Sequence, residues 1–289
     1  MARMVHIGTR DAEEGASCFV IAEIGINHNG DLELAKRLID AAKQSGADAV
    51  KFQKRTVDVV YTPEELARPR ENPFGSTNGD LKHGLEFGAE QYAEIDRYCK
   101  ERQVLWFASC WDEGSVDFME QFNPPCYKIA SACLTDDRLL RHHKTGRPII
   151  LSTGMSTMEQ IRHAVRVLDT DDLILLHCTS TYPSAPHELN LRVIRTLMTE
   201  FPNHPIGYSG HEVGLQTSVA AVALGACVVE RHITLDRAMW GSDQAASVEP
   251  QGFERMVRDI RAVEAAMGDG VKKVYDGERP IMAKLRRVN

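Results

Sequence analysis

The sequence predicts an α/β protein built as a closed (β/α)8 barrel, the TIM-barrel architecture, in a single domain over residues 1–289. Short β-branched runs alternate with amphipathic stretches along the whole chain, and eight such runs occur. Strands that alternate with helices favour parallel pairing, and eight strand–helix units close into a barrel. The length of 289 residues suits one barrel, and no internal repeat competes with this interpretation.

The predicted strands are apolar runs of five to seven residues, bounded by turn-forming or polar residues. Runs of this length and composition are typical of strands buried in a parallel sheet. They are FVIAEIG (19–25), AVKFQ (49–53), LWFASC (105–110), CYKIAS (126–131), PIILST (148–153), LILLHC (173–178), PIGYSG (205–210) and VVERHI (228–233).

Helices are predicted between these strands. In the first of them Leu34, Leu38, Ala41 and Ala42 form one apolar stripe, and Gly46 marks its end. The clearest helical segments are 31–45, 90–102, 156–168, 215–225 and 250–267.

One connection, residues 54–89, is far longer than its counterparts. Most connections from a strand to the next helix span only ~2–6 residues, and long ones tend to be functional. This loop follows the second strand and therefore leaves the catalytic face of the barrel. A lid or a substrate wall is favoured over a simple surface excursion.

Composition narrows the class of protein and of partner. The net charge of −7 and the absence of a clustered basic face argue against a nucleic-acid partner. No apolar run reaches the length of a membrane span, and the first residues lack the apolar core of a signal peptide. The seven cysteines are odd in number and contain no C-x-x-C pair, which indicates buried thiols in a reducing, cytoplasmic compartment.

Every predicted strand ends in charged or hydrogen-bonding side chains, where barrel enzymes carry their active sites. Packing all of these groups in an apolar interior would be costly, so an active site is the better explanation. One set of donors suits a phosphate or a carboxylate and comprises Lys51, Lys128, Ser109, Ser131, Ser152 and Ser209. A second set suits metal binding or proton transfer and comprises Glu23, His211, His232 and Asp243.

The stretch ACVVERHITLD, at the end of the eighth strand, places three ionisable side chains in a row. Because side chains alternate along a strand, Glu230 and His232 should point into the barrel and Arg231 towards the helices. Two histidines without cysteine ligands leave room for water and a substrate oxygen, as in an open catalytic metal site. His177 is expected inside the barrel. For His28, two roles remain open, a contact with substrate and a structural one.

Several motifs, in order, resemble the sialic acid synthase family. They include FVIAEIGINHNGDLELAKRLIDAAKQSGADAVKFQ, YKIAS, ILSTGMST, LLHCTSTYP, IGYSGHEVG and ALGACVVERHITLD, and the resemblance covers residues 17–286. It implies condensation of phosphoenolpyruvate with an open-chain amino-sugar aldehyde, such as N-acetylmannosamine or a related hexosamine. The products would be a nonulosonic (sialic-type) acid and phosphate.

The resemblance also implies roles for individual residues. The metal ligands would be His211 and His232, holding manganese, with magnesium or cobalt as alternatives. The catalytic residues would be Glu23 and Asp243. Substrate would be bound by Lys51, Gln53, Ser109, Lys128, Ser131, Ser152, Tyr182 and Ser209.

Three departures from the family pattern bear on the sugar. Cys133 stands where many relatives have an acidic residue, and Ser180 where some have asparagine. The chain stops at KLRRVN, so we expect the antifreeze-like C-terminal domain of the family to be absent, in a truncated or a natural short form. In full-length relatives that domain reaches over the partner subunit's barrel, so the resemblance also implies a homodimer.

The residue types suggest a mechanism and leave rivals open. A metal would polarise the aldehyde, the lysines would hold phosphate and carboxylate, and Glu23 or Asp243 would handle protons. A Schiff-base aldolase with Lys51 or Lys128 as nucleophile is one alternative. A zinc hydrolase and a non-catalytic barrel that binds phosphoenolpyruvate or sugar are the others.

Overall fold

The structure is a computed structural model that describes residues 4–144 and 146–288. All eight predicted strands form, with boundaries within two residues of the predicted ones. They are β1 (Phe19–Gly25), β2 (Ala49–Lys54), β3 (Leu105–Cys110), β4 (Tyr127–Ile129), β5 (Ile149–Ser152), β6 (Leu173–Cys178), β7 (Ile206–Gly210) and β8 (Val228–His232).

The strands are parallel and close into a barrel in sequence order, with β8 against β1. The register aligns polar strand ends on neighbouring strands. His232 lies opposite Glu23, Glu23 opposite Lys51, and Ser109 opposite both Gln53 and Lys128. The closed (β/α)8 fold is therefore confirmed, and closure gathers the polar ends into one mouth.

One principal helix follows each strand, and the five clearest predicted helices are confirmed. The helix α1 begins after Asp31, whose carboxylate accepts from the backbone N–H groups of Glu33 and Leu34. The helices are α1 (Leu32–Gln44), α2 (Ala89–Arg102), α3 (Glu113–Glu120), α4 (Asp137–His142), α5 (Met158–Leu168), α6 (Val193–Glu200), α7 (Gln216–Ala223) and α8 (Pro250–Met267).

Two apolar layers divide the side chains of the strands. The inner layer fills the lower barrel with residues such as Phe19, Ile21 and Phe107, and an N-terminal hairpin packs against it. The outer layer packs against the helices. His177 lies with the outer set, because its Nε2 is 2.6 Å from the carbonyl oxygen of Leu189. The expectation that His177 lies inside the barrel is therefore wrong.

The long connection 54–89 is an ordered excursion with secondary structure of its own. It contains the short helices Val57–Val60, Pro63–Leu66 and Asn78–Leu85. An antiparallel hairpin joins Pro69–Asn72 to Gly75–Thr77. Its return to α2 is anchored by Phe87, whose ring stacks on His28 at 4.1 Å.

Candidate active site

A cavity of ≈ 190 Å³ opens at the carboxyl ends of the strands. Every one of the eight strands supplies at least one lining residue. The lining comprises Glu23, Lys51, Gln53, Ser109, Trp111, Lys128, Ala130, Ser131, Ala132, Ser152, Met155, Cys178, Ser180, Tyr182, Ser209, His211, Glu230 and His232.

The first buried cation of the cavity is Lys51, on β2. Its ammonium lies 2.8 Å from a carboxylate oxygen of Glu23 and donates to Ser109 Oγ at 2.9 Å. The Glu23 carboxylate accepts a further hydrogen bond from the Gln53 amide at 3.0 Å. Both Lys51 and Glu23 are almost fully buried, so each charge depends on the other.

The second buried cation is Lys128, on β4. It donates to Ser152 Oγ at 2.7 Å and lies 3.5 Å from a carboxylate oxygen of Glu230. The same Glu230 oxygen is 3.7 Å from Lys51 and accepts from Ser209 Oγ at 3.2 Å. The inward position expected for Glu230 is confirmed, and this carboxylate bridges the two ammonium groups.

These contacts shift the pKa values of all four groups. Burial opposes charge on Lys51, but the Glu23 and Glu230 carboxylates outweigh burial and raise its pKa. Burial lowers the pKa of Lys128, against the attraction of Glu230. Burial raises the pKa of Glu23 despite its contact with Lys51. Glu230 is also buried, yet Lys128 and Lys51 hold its pKa at about 2.

Two histidines border the other side of the cavity, with ring centroids 5.5 Å apart. His211 Nδ1 lies 2.8 Å from the carbonyl oxygen of Thr179, so it carries the proton and Nε2 keeps its lone pair. Burial lowers the pKa of His232 to about 3, which keeps this ring neutral. For His211 the nearby Cys178 thiol outweighs burial and raises the pKa.

This donor set fits a divalent metal with an open coordination sphere. The proton-bearing Nδ1 of His211 matches the second-sphere hydrogen bond common among metal-ligating histidines. His232 Nδ1 is buried without a hydrogen-bond partner, and Asp243 Oδ2 lies 4.0 Å away. Within residues 4–144 and 146–288 no three His, Cys, Asp or Glu side chains form a metal cage. A metal here would complete its ligands from water and substrate.

Two glycines leave room for this chemistry. Gly25 has a φ of +55°, and a Cβ there would meet Glu23 Oε1 at 3.1 Å and His232 Cε1 at 3.4 Å. A Cβ at Gly154 would collide with the hydroxyl oxygens of Ser131 and Ser180. The Gly154 N–H donates to Ser131 Oγ at 3.0 Å. The missing side chains therefore allow polar groups to converge on the cavity.

Eleven of the twelve predicted site residues line the cavity; the twelfth, Asp243, does not. The Asp243 carboxylate lies beside it, 4.0 Å from the His232 ring, and accepts from Ser242 Oγ at 2.7 Å. The lining also contains residues that the sequence patterns do not single out, namely Trp111, Ala130, Ala132, Met155 and Cys178. Only Cys178 carried a signal, because it lies two residues beyond the inward Leu176.

Three other expectations are decided by burial and packing. His28 is buried, accepts from the Gly30 N–H at 3.1 Å and stacks on Phe87, so it is structural. Cys133 is buried outside the cavity lining. Residues 56–89, all of them described, contribute nothing to the lining, so a substrate wall built from this loop is not observed.

Arg231 points away from the cavity, as alternation predicts. Its guanidinium is fully buried, 3.0 Å from a Glu212 carboxylate oxygen, and donates to the Gly214 carbonyl and Ser218 Oγ. Glu212 also accepts from Tyr208 Oη at 2.8 Å. The side chains of Glu230 and His232 therefore face the cavity, whereas Arg231 between them forms a buried ion pair behind the strand.

Comparison with known proteins identifies the class. Human N-acetylneuraminate-9-phosphate synthase is 43% identical over 93% of this chain and 76% of its own length. N,N′-diacetyllegionaminic acid synthase of Legionella pneumophila is 38% identical over 97% of this chain and 82% of its own. The crystal structure of sialic acid synthetase from Leptospira borgpetersenii, in complex with citrate, superposes with a TM-score of 0.87 at 29% identity, covering 100% of this chain and 99% of that chain.

The fold, the site and these relatives define a barrel synthase that forms a carbon–carbon bond with phosphoenolpyruvate in carbohydrate biosynthesis. The profile of the NeuB family matches residues 38–272. The chain belongs to the NeuB family, whose members carry out condensations of the sialic, legionaminic and pseudaminic acid synthase type. The resemblance seen in the sequence is thereby confirmed. None of the helices in the described ranges combines the length and apolar character of a membrane span.

Proposed function

We propose that this cavity condenses phosphoenolpyruvate with the open-chain aldehyde of N-acetylmannosamine or a related amino-hexose. One observation carries the proposal: a single cavity holds two buried lysines, each paired with a seryl hydroxyl, beside two histidine rings that can bind a metal when neutral. Lysines and hydroxyls suit the phosphate and carboxylate of phosphoenolpyruvate. Relatives are named for three different products, so the proposal stays at the level of an amino-hexose aldehyde.

A divalent metal is part of the proposal, with manganese first and magnesium or cobalt as alternatives. His211 would hold it through Nε2, because its Nδ1 faces the Thr179 carbonyl, and His232 would hold it through its buried ring, whose Nδ1 has no hydrogen-bond partner among the described residues. When bound, it supplies Lewis-acid polarisation of the aldehyde oxygen.

The reaction has three steps, in which side chains of the protein bind the substrates and transfer protons. C3 of phosphoenolpyruvate attacks the aldehyde carbon, water adds at C2, and the tetrahedral intermediate expels phosphate. Lys51 and Lys128 hold the anionic groups and stabilise the departing charge. Glu23 lines the cavity with a raised pKa, which suits a group that takes and returns a proton. Asp243 is the second candidate for proton transfer, from its position beside His232.

The Schiff-base alternative needs a lysine that is neutral at working pH. Lys51 does not meet this need, because it is paired with Glu23 and its pKa is raised. Burial does lower the pKa of Lys128, so borohydride trapping with substrate is the direct check on that residue. We expect no trapped adduct.

The decisive experiment measures phosphate released from phosphoenolpyruvate while the aldehyde sugar and the metal are varied. We expect release to require an amino-hexose aldehyde, to stop on chelation, and to return with manganese, magnesium or cobalt. His211→Ala should abolish release, whereas His163→Ala, at an exposed histidine paired with Asp137, should not. Full turnover by rigorously metal-free protein would refute the proposed metal requirement. Absence of phosphate release with every aldehyde tested would favour a barrel that binds its ligands without catalysis.

We further propose a cytoplasmic, homodimeric enzyme. All seven cysteines are free and buried, which supports a reducing compartment. Sedimentation of the purified chain would test the homodimer.

A further inference from the structure

Arg55 joins the long excursion to the active site. This arginine follows β2 directly and is 6% exposed. Its Nε donates to Glu86 Oε1 at 3.0 Å and its Nη1 to Tyr61 Oη at 2.9 Å, both within the 54–89 connection. Its Nη2 donates to Gln53 Oε1 at 2.8 Å. The guanidinium also lies 5.1 Å from the ring of Trp111, a residue of the cavity wall.

The Arg55 contact fixes the oxygen end of the Gln53 amide. A guanidinium has donors only, so the amide must turn its oxygen towards Arg55. Its Nε2 then faces the cavity and donates to Glu23 Oε1 at 3.0 Å. Without Arg55 the amide oxygen loses its donor, and the Gln53 side chain keeps only the contact with Glu23 to fix its position.

We propose that Arg55 is a positioning residue that aims Glu23 through Gln53, and that the 54–89 excursion serves to hold Arg55. The proposal rests on the proposed function, in which Glu23 transfers protons. It gives the excursion a role although none of residues 56–89 lines the cavity. Glu86 and Tyr61 orient the Arg55 guanidinium, the guanidinium orients the Gln53 amide, and the amide orients the Glu23 carboxylate.

A double-mutant cycle on phosphate release tests this chain of contacts. Arg55→Met keeps the length of the side chain and removes its donors, and Gln53→Met removes the amide. We expect each single variant to lower kcat about tenfold or more, since a hydrogen bond to a charged group is lost. The double variant should be no slower than Gln53→Met alone, because Arg55 acts only through that amide.

The matched control is Arg147→Met, another guanidinium that pairs with a glutamate, Glu120, at 2.7 Å but outside the cavity lining. It should leave kcat unchanged. If Arg55→Met does not fold, Arg55→Lys, which retains a cation beside Glu86, enters the same cycle. Independent multiplication of the two single effects, or an unchanged kcat in the Arg55 variant, would overturn the proposal. Wild-type turnover measured in the same assay tests the proposed function separately.

Discussion

At the scale of single residues, the cavity is an arrangement of compensated charges. Two ammonium groups and two carboxylates are buried together, and Glu230 touches both lysines. Burying either cation alone would cost several kcal/mol. An incoming phosphate or carboxylate therefore finds cations already desolvated and held by hydroxyl groups. The same pairing makes the two lysines unequal, because Lys51 forms the ion pair with Glu23, whereas both lysines lie near Glu230.

Lys128→Met should weaken phosphoenolpyruvate binding without unfolding the protein. Glu230 keeps Lys51 at 3.7 Å and Ser209 at 3.2 Å, so its charge stays compensated. Loss of a charge-assisted contact of about 1.5–3 kcal/mol should raise KM for phosphoenolpyruvate about tenfold to hundredfold. Steady-state kinetics measure the change, with Lys43→Met as control, at a lysine outside the cavity lining whose ammonium donates to the Gln103 carbonyl. An unchanged KM would remove Lys128 from the anion site.

At the scale of elements, the strand ends that carry the two histidines are braced from behind. Glu212 follows His211 after β7, and Arg231 precedes His232 on β8. Their buried ion pair, with the bond from Arg231 Nη2 to the Glu212 carbonyl at 2.6 Å, ties these two ends together. The bond to Ser218 Oγ adds α7 to the same cluster.

Arg231→Met should destabilise the fold strongly. It leaves the Glu212 carboxylate buried without a cation, a change that typically costs about 3–5 kcal/mol. Urea unfolding measures the free energy of unfolding, and adding Glu212→Gln to Arg231→Met should recover part of the loss. The exposed pair Arg162–Glu200 supplies the control, since Arg162→Met should change stability far less. Equal losses in the two variants would contradict this account of the buried pair.

At the scale of the whole molecule, all eight strands contribute to one cavity, so ligand binding should stabilise the barrel as a unit. A ligand at about 100 times its Kd adds about 2.7 kcal/mol to the free energy of unfolding. For a chain of this size that corresponds to a rise in Tm of roughly 5 °C.

Thermal unfolding with saturating phosphoenolpyruvate and manganese should show this rise in one cooperative transition. The Lys128→Met variant, at the same phosphoenolpyruvate concentration, should show a smaller rise because its affinity is lower. Equal shifts in both proteins, or none in the wild type, would count against binding in this cavity.

The sequence by itself determined the eight strands, the five clearest helices and the alternation of side chains along β8. These are local properties, because apolar runs, alternation and capping residues act over a few neighbours. Alternation along β8 places Glu230 and His232 inside and Arg231 outside, as observed. Parallel strands in sequence order then bring their polar ends to one face.

Only the tertiary structure decided which groups meet at that face. Lys51 and Glu23 are paired by barrel closure and register, and the position of Asp243 beside the cavity depends on how its loop packs. The structural role of His28 and the contacts that the long connection makes with Arg55 likewise rest on tertiary packing, whereas the outward position of His177 follows from its place between the inward Leu176 and Cys178. Local patterns carry no record of these contacts, because long-range packing and the desolvation of charges select among many locally equivalent arrangements.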